Sequence, residues 1–487
     1  MIQDPSIDRD KVAYSLAWKM LERIFSQGGN LLIQIVLARI LMPEEFGNLA
    51  IILAIVNYLS MFVQSGMSTV LVQKKEIDQL DVDTIFTITF LGNLFVYALL
   101  FFLSPLVASY YGNSSLTIPI RVTSLVLFLY SINSIQMGLL SRNMDFKVLF
   151  LRSVFAVPVA GVIAIVMAYM GFGLWSLVAN LLLGVLLSSI VMAIGTKACF
   201  RFRFSLERAK YIYSYSVKIL GASIISGFSD LFRTMSIGKK YTVSDLAFYD
   251  KAYQYSFLIL QVVNSSIQAV LFPVFSRKQD DVDKLKVITR QSIRITMFGM
   301  TPILLGLFVV AKPAIVILLT EKWLPCVPFL MLFCVFRWSG CVVGIDKQVY
   351  LALAKGSILF YFEVLLLIAN IVMLIITIPI SVKAIAIGAI IVEYSANFAL
   401  VLISRKVYHY SLRERMADLI KPLVNSFVMM LSMYIVELMD MEMLWLLIIQ
   451  IVVGSITYFV MAMISKDSSL SYIRNFISEK YHQTKLK

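Results

Sequence analysis

Residues 215–240 read YSVKILGASIISGFSDLFRTMSIGKK, followed by YTVSDL at 241–246 and AFYDKAYQ at 247–254. The first of these segments is long enough to span a bilayer, yet Lys218, Asp230 and Arg233 interrupt it. At about 100° per residue, Ala222, Ser223, Ser226, Asp230 and Arg233 fall on one helical face, and Leu220, Ile224, Leu231 and Met235 lie away from it. A charge near the bilayer centre costs at least about 2.5–3.5 kcal/mol, so such residues face a cavity or a partner. Two readings follow. Asp230 and Arg233, three residues apart, neutralise each other as a local pair, or they line a polar lumen that Ser223 and Ser226 extend.

The surrounding chain is of the same kind. Of its 487 residues 60% are hydrophobic and only 15% charged, and the mean hydropathy is +0.85; this describes a polytopic helical membrane protein, not a large soluble enzyme. Roughly fourteen apolar spans of about 20 residues can be placed near 16–40, 46–65, 83–105, 118–140, 149–169, 173–196, 216–236, 247–272, 293–318, 328–350, 359–379, 384–403, 423–438 and 443–464. The polar start, Met1 to Arg9, lacks the pattern of a cleavable signal. The four cysteines form no CxxC motif and read as packing residues. His409 and His482, the two histidines, lie in basic polar segments, which excludes a histidine metal site and a membrane-embedded histidine base.

The net charge of +14 is explained by topology and calls for no nucleic acid. With the N-terminus in the cytoplasm, Lys74, Lys75, Arg142, Lys147, Lys355 and the basic stretches 197–210, 277–290 and 405–421 fall on the cytoplasmic side. The external connections hold only Lys239, Lys240, Lys322 and Lys383. This asymmetry predicts a multi-pass protein with both termini cytoplasmic.

Basic connections also divide the chain: an N-terminal six-helix lobe at 1–196, a cytoplasmic linker at 197–214, a C-terminal six-helix lobe at 215–404, and a helix pair with a basic tail at 405–487. A repeat supports the division, since LARILMPEEFGNL at 37–49 aligns without gaps onto IGKKYTVSDLAFY at 237–249. Each copy leaves a helix with a base, turns, and enters the next through an acid, a bulky apolar residue and a small one. Ser104-Pro105 and Lys312-Pro313 occupy equivalent places late in the third span of each half. Six is an even number, so the halves are related by an axis along the membrane normal. The expected fold is therefore all-α, with about fourteen transmembrane helices arranged as two six-helix lobes around a central cavity, plus a peripheral C-terminal pair.

Four stretches carry a family resemblance: LARILMPEEFG at 37–47, LAFYDKAYQ at 246–254, FPVFSR at 272–277 followed by Asp280 and Asp281, and Glu321-Lys322-Trp323 with Pro328. Together they resemble the bacterial polysaccharide flippases of the Wzx and teichuronic-acid exporter type. These form the polysaccharide transport branch of the multidrug/oligosaccharidyl-lipid/polysaccharide exporter superfamily. The resemblance runs from about Ser15 to about Lys406. It implies translocation of an undecaprenyl-diphosphate-linked oligosaccharide from the cytoplasmic to the periplasmic leaflet of the bacterial cytoplasmic membrane. The implied partners are membrane lipid, the lipid-linked glycan and other membrane proteins of glycan assembly. No cofactor is called for, and coupling to a proton or sodium gradient stays open. The chain departs from the pattern at Asp230 and Arg233, where relatives show Arg first and Asp three residues later. The exchange moves each charge by about one helical turn, roughly 5 Å, so residue roles do not transfer there.

The polar residues within the spans suit such a substrate, because a diphosphate needs Arg or Lys donors and sugars need amides and hydroxyls. The candidate substrate-cavity residues are Lys19, Arg23 and Asn30 on the first span; Asp230, Arg233, Asp250 and Lys251 around the opening segment; Arg337, Asp346 and Lys347 on the tenth; and Glu393, the deepest acid. Each has a plainer alternative. Lys19, Arg23 and Glu363 lie near span ends and reach the interface by snorkelling, Asn264 ties helices together, and Arg337 and Glu393 form a structural pair. Tyr249, Tyr253, Tyr255 and Trp323 are expected in an interfacial belt. An organic-cation antiporter on the same fold predicts a lumen dominated by acids, whereas here the bases match or outnumber them. A membrane polymerase or ligase needs a sizeable external loop with catalytic groups, and the longest external connection, 109–116, has neither acid nor base. The expectation is a transporter and not an enzyme.

Overall fold

The computed structural model describes residues 9–472 apart from 65, 75, 197, 199, 277–280, 440, 468 and 471. Side chains at 9–13 and 16, at several positions of 215–226 and at most of 259–273 are outside that description. Lys218, Ser226, Asn264 and Arg277 fall among these positions.

Each apolar span is helical. In chain order the helices are α1 (Arg9–Ile40), α2 (Pro43–Gln64), α3 (Met67–Gln73), α4 (Gln79–Tyr111), α5 (Thr117–Thr123), α6 (Val126–Arg142), α7 (Phe146–Tyr169), α8 (Leu174–Thr196) and α9 (Leu206–Lys240). They continue with α10 (Val243–Ser276), α11 (Val282–Val309), α12 (Ala311–Leu319), α13 (Cys326–Ala352), α14 (Gly356–Thr377), α15 (Val382–Tyr408), α16 (Leu412–Glu437) and α17 (Met443–Ile464). Among the described residues no strand occurs, and 11 spans are long and apolar enough to cross a membrane. In lipid a backbone satisfied entirely within its own helix is the open solution, so this is the architecture the composition demands. The helices group into two compact units, Met1–Ala247 and Phe248–Lys487.

Within the first unit α9 lies along α2. Three glycines permit the approach: Gly227 faces Tyr58 and Met61, Gly238 faces Ile51 and Tyr111, and Gly47 faces Val243. The two copies of the repeat therefore touch. Both turns have the same construction, with α1 ending at Ile40 and α2 starting at Pro43, and α9 ending at Lys240 and α10 starting at Val243. The repeated acid is a cap. Glu45 accepts from the Met42 amide at 2.7 Å, and Asp245 accepts from the Thr242 amide at 3.2 Å and its hydroxyl at 2.7 Å, which satisfies donors that a helix start leaves free. Phe46 and Leu246 are buried beside them. The repeated small residue has a steric cause, because any Cβ at Gly47 collides with the Val243 carbonyl, a backbone atom that no rotamer change removes. Gly47→Val is therefore expected to hold the two turns apart. In a chain freed of its native cysteines, disulfide formation between Glu44→Cys and Ser244→Cys should fall sharply when Gly47→Val is added. An unchanged yield would show that the turns accommodate the side chain without separating.

The second unit is centred on α13, where Arg337, Cys341, Ile345, Asp346 and Val349 are all buried. Met297, Tyr350, Leu400 and Tyr408 complete the core around it. The C-terminal pair packs against α11 and α12 of this unit. Met429, Met433, Tyr458 and Ala462 share a core with Phe298, Val309 and Ala314, and the Tyr458 hydroxyl donates to the Phe298 carbonyl at 2.6 Å.

Candidate functional site

Arg337 lies midway along α13 and is 6% exposed. Its guanidinium sits over the rings of Tyr253 at 4.1 Å, Phe257 at 4.9 Å and Phe336 at 5.2 Å, two residues from α10 and one from α13, so cation–π attraction holds the head in place. Among the described residues its hydrogen bond is long, from Nε to Ser256 Oγ at 3.5 Å, and Nη2 is buried without an acceptor. Among the described residues no carboxylate lies within ion-pair distance of it. Glu393, its expected alternative partner, instead accepts from Asn397 at 3.2 Å. Asn397 also donates to Ser339, two residues beyond Arg337, at 3.0 Å and keeps its carbonyl oxygen buried and unmatched. Arg337 Nη2 and the Asn397 carbonyl oxygen are thus buried polar atoms without a partner among the described residues.

Other candidates are occupied locally. Asp230 and Arg233 form the local pair at 2.8 Å, with the Asp230 side chain 61% exposed. If the Asp230 face lines an aqueous lumen, such a pair contributes at most about 1 kcal/mol, and Asp230→Asn is expected to leave the melting temperature nearly unchanged. A large drop would mean that Asp230 holds more than this contact. Lys347 pairs with Glu363 at 2.7 Å. Asp250 accepts from Gln254 at 2.6 Å. Lys251 is buried, with Asp250 and Cys326 as its electrostatic neighbours. On α1, Lys19 lies over the Phe146 ring at 5.2 Å, where α7 begins, Asn30 donates to the Ser26 carbonyl of its own helix at 2.7 Å, and Arg23 is half-buried. The expected aromatic belt is corrected: Trp323 and Tyr249 are buried, Tyr249 packs on Phe333, and Tyr253 belongs to the Arg337 cage.

Asp346 is fully buried, and its surroundings were not read from the sequence. It accepts from Arg415 Nη1 at 2.6 Å and Nη2 at 3.1 Å and from the Tyr408 hydroxyl at 2.7 Å. One turn along α16, Asp418 accepts from Arg290 Nε at 2.8 Å, from Arg294 and from the Tyr410 hydroxyl at 2.8 Å. Burial first, and then the Asp418 charge, raise the Tyr410 phenol above its ordinary range, so it donates and does not ionise. This cluster joins α11, α13, α15 and α16 through an ionic network in which only Arg415 Nε, of the atoms named here, is buried without a partner among the described residues.

Among the described residues, 11 helices long and apolar enough to cross a bilayer define a polytopic integral membrane protein. The chain belongs to the polysaccharide biosynthesis protein family, whose profile matches residues 36–328. It is similar to the succinoglycan biosynthesis transport protein ExoT of Rhizobium meliloti (strain 1021), at 26% identity over 75% of this chain and 74% of that one. It is also similar to the lipopolysaccharide biosynthesis protein WzxC of Escherichia coli (strain K12), at 26% identity over 73% of each chain. Among solved structures it resembles the lipid II flippase MurJ in its inward closed conformation, with a TM-score of 0.75 at 16% identity over 96% of this chain and 100% of that one. An inward-facing multidrug resistance transporter of the MATE family follows at TM-score 0.62 and 15% identity, over 84% of this chain and 99% of that one. At these identities the structural likeness concerns the fold.

Proposed function

We propose that this protein flips an undecaprenyl-diphosphate-linked oligosaccharide across the bacterial cytoplasmic membrane by alternating access. The observation that supports the reading is Arg337, a buried cation with no carboxylate within ion-pair distance among the described residues, which suits a diphosphate or an acidic sugar. Asp230 and Asp346 face arginines, so two of the four candidate acids that an organic-cation antiporter would use are already paired, which leans towards an anionic substrate. The names of ExoT and WzxC, a transport protein and a lipopolysaccharide biosynthesis protein, agree with this substrate class. In this reading α1, α9 and α10, at 32, 35 and 34 residues, complete fourteen crossings. Each reaches roughly 50 Å at about 1.5 Å per residue, beyond the roughly 30 Å of hydrocarbon. Both termini are then cytoplasmic, and the turns at 43–47 and 243–247 meet in one state of the cycle and part in the other.

The test uses the purified full chain in vesicles with a fluorescent undecaprenyl-diphosphate-linked oligosaccharide and a membrane-impermeant quencher. The pool protected in protein-free vesicles should become accessible. Persisting protection, together with efflux of an organic cation from the same vesicles, would favour the antiporter.

A further inference from the structure

The connection from α8 to α9 is built against a membrane helix. Residues 200–204 read FRFRF. Phe200 and Phe202 each lie 5.2 Å from the Phe86 ring of α4, the Arg201 amide donates to Asp83 at 3.2 Å, and Thr87 donates to the Arg203 carbonyl at 3.0 Å. The segment is thereby pinned along the first turns of α4. Beyond those contacts Phe202 is 64%, Phe204 55% and Leu206 76% exposed. Beside it α3, α4 and the start of α9 enclose an open groove of about 430 Å³, lined by Met67, Ile88, Phe204, Ala209 and Ile212, with Lys210 its single charged residue. Of the four bases here, Arg208 is held by Asp78 at 2.8 Å and Asp81 at 2.7 Å. Arg201, Arg203 and Lys210 are exposed and make no ion pair among the described residues.

An apolar slot rimmed by free cations has the chemistry of a phospholipid site. We propose that the groove holds one acyl chain of an anionic phospholipid of the bulk leaflet, with Lys210 at its phosphate and Arg201 and Arg203 supplying the attracting field. The free cations at its rim select the occupant, an apolar chain carrying an anionic headgroup. The inference rests on membrane embedding alone and is independent of the flippase reading.

The full chain is placed in vesicles of phosphatidylcholine, of phosphatidylglycerol, or of an equimolar mixture, each doped with phosphatidylglycerol or phosphatidylcholine carrying a diazirine on the acyl chain. Photolabel from phosphatidylglycerol should concentrate on peptides containing Ile88 and 204–213. At roughly fivefold per cation, the triple change Arg201→Gln, Arg203→Gln, Lys210→Gln should lower that labelling at least about tenfold. Ala209→Trp, or Ala209→Leu if the larger side chain prevents folding, should displace the label with the cations intact. Equal labelling by phosphatidylcholine, full labelling of the triple variant, label elsewhere, or competition by undecaprenyl phosphate but not by phosphatidylglycerol would each overturn the proposal.

Discussion

Arg337→Ala is expected to abolish export of the surface glycan while the protein stays inserted and folded. The two halves of this expectation have separate causes. Arg337 is buried with no carboxylate within ion-pair distance among the described residues, so its charge is a standing desolvation cost, only partly offset by the rings of Tyr253, Phe257 and Phe336. Removing it leaves a cavity but also removes that cost. Arg337→Met fills most of the space and should match or exceed the native melting temperature. Export should fail in both variants, because the free Nη2 donor is the group available to an anion. Arg337→Lys should keep part of the activity, since a point charge retains the attraction and loses the bidentate geometry. A residue held for structure behaves in the opposite way, with lost stability and export falling in proportion. Normal export by Arg337→Ala would remove the residue from the proposed site.

Hydropathy made the helices legible because in lipid an apolar run has one backbone solution. The repeat was legible too, although the reason for its acid was not. Glu45 and Asp245 looked like part of a signature, and the structure shows each closing a turn onto the residue three places before it. What hydropathy hid was how far helices run past their apolar segments. The span at 423–438 is the apolar end of α16, which starts at Leu412. The signal was present in Ser411-Leu-Arg-Glu414, a capping box in which the Ser411 hydroxyl accepts from the Glu414 amide at 3.3 Å and Glu414 accepts from the Ser411 amide at 3.0 Å. Reading it would have put Arg415 and Asp418 on a helix instead of in a basic connection. Asp346 shows the complementary limit. Its depth was legible, but a carboxylate in a span faces either a cavity or a distant base, and only the fold, which brings Arg415 of α16 to Asp346, decides between them.

That choice makes Arg415→Ala the second large effect. Asp346 has no exposed surface, and Arg415 supplies two of its hydrogen bonds, at 2.6 and 3.1 Å. Without Arg415 the carboxylate keeps only the Tyr408 hydroxyl at 2.7 Å. Breaking one side of a buried pair costs about 3–5 kcal/mol, so Arg415→Ala should melt far below the native protein or fail to accumulate, and Asp346→Ala should do the same. The pair itself is not required for stability. Replacing both charges with apolar groups of similar volume, Asp346→Leu with Arg415→Met, removes two desolvation costs at once and should recover most of the loss. Thermal unfolding of the two single variants and the double variant measures the coupling, and additive losses would mean that the pair does not interact. Export by the double variant then separates two roles for Asp346. If the carboxylate only joins α13 to α16, a refolded double variant exports glycan, because no substrate ever reached it. If it contacts substrate, the double variant is stable and silent, and Asp346 returns to the candidate substrate residues with Arg337.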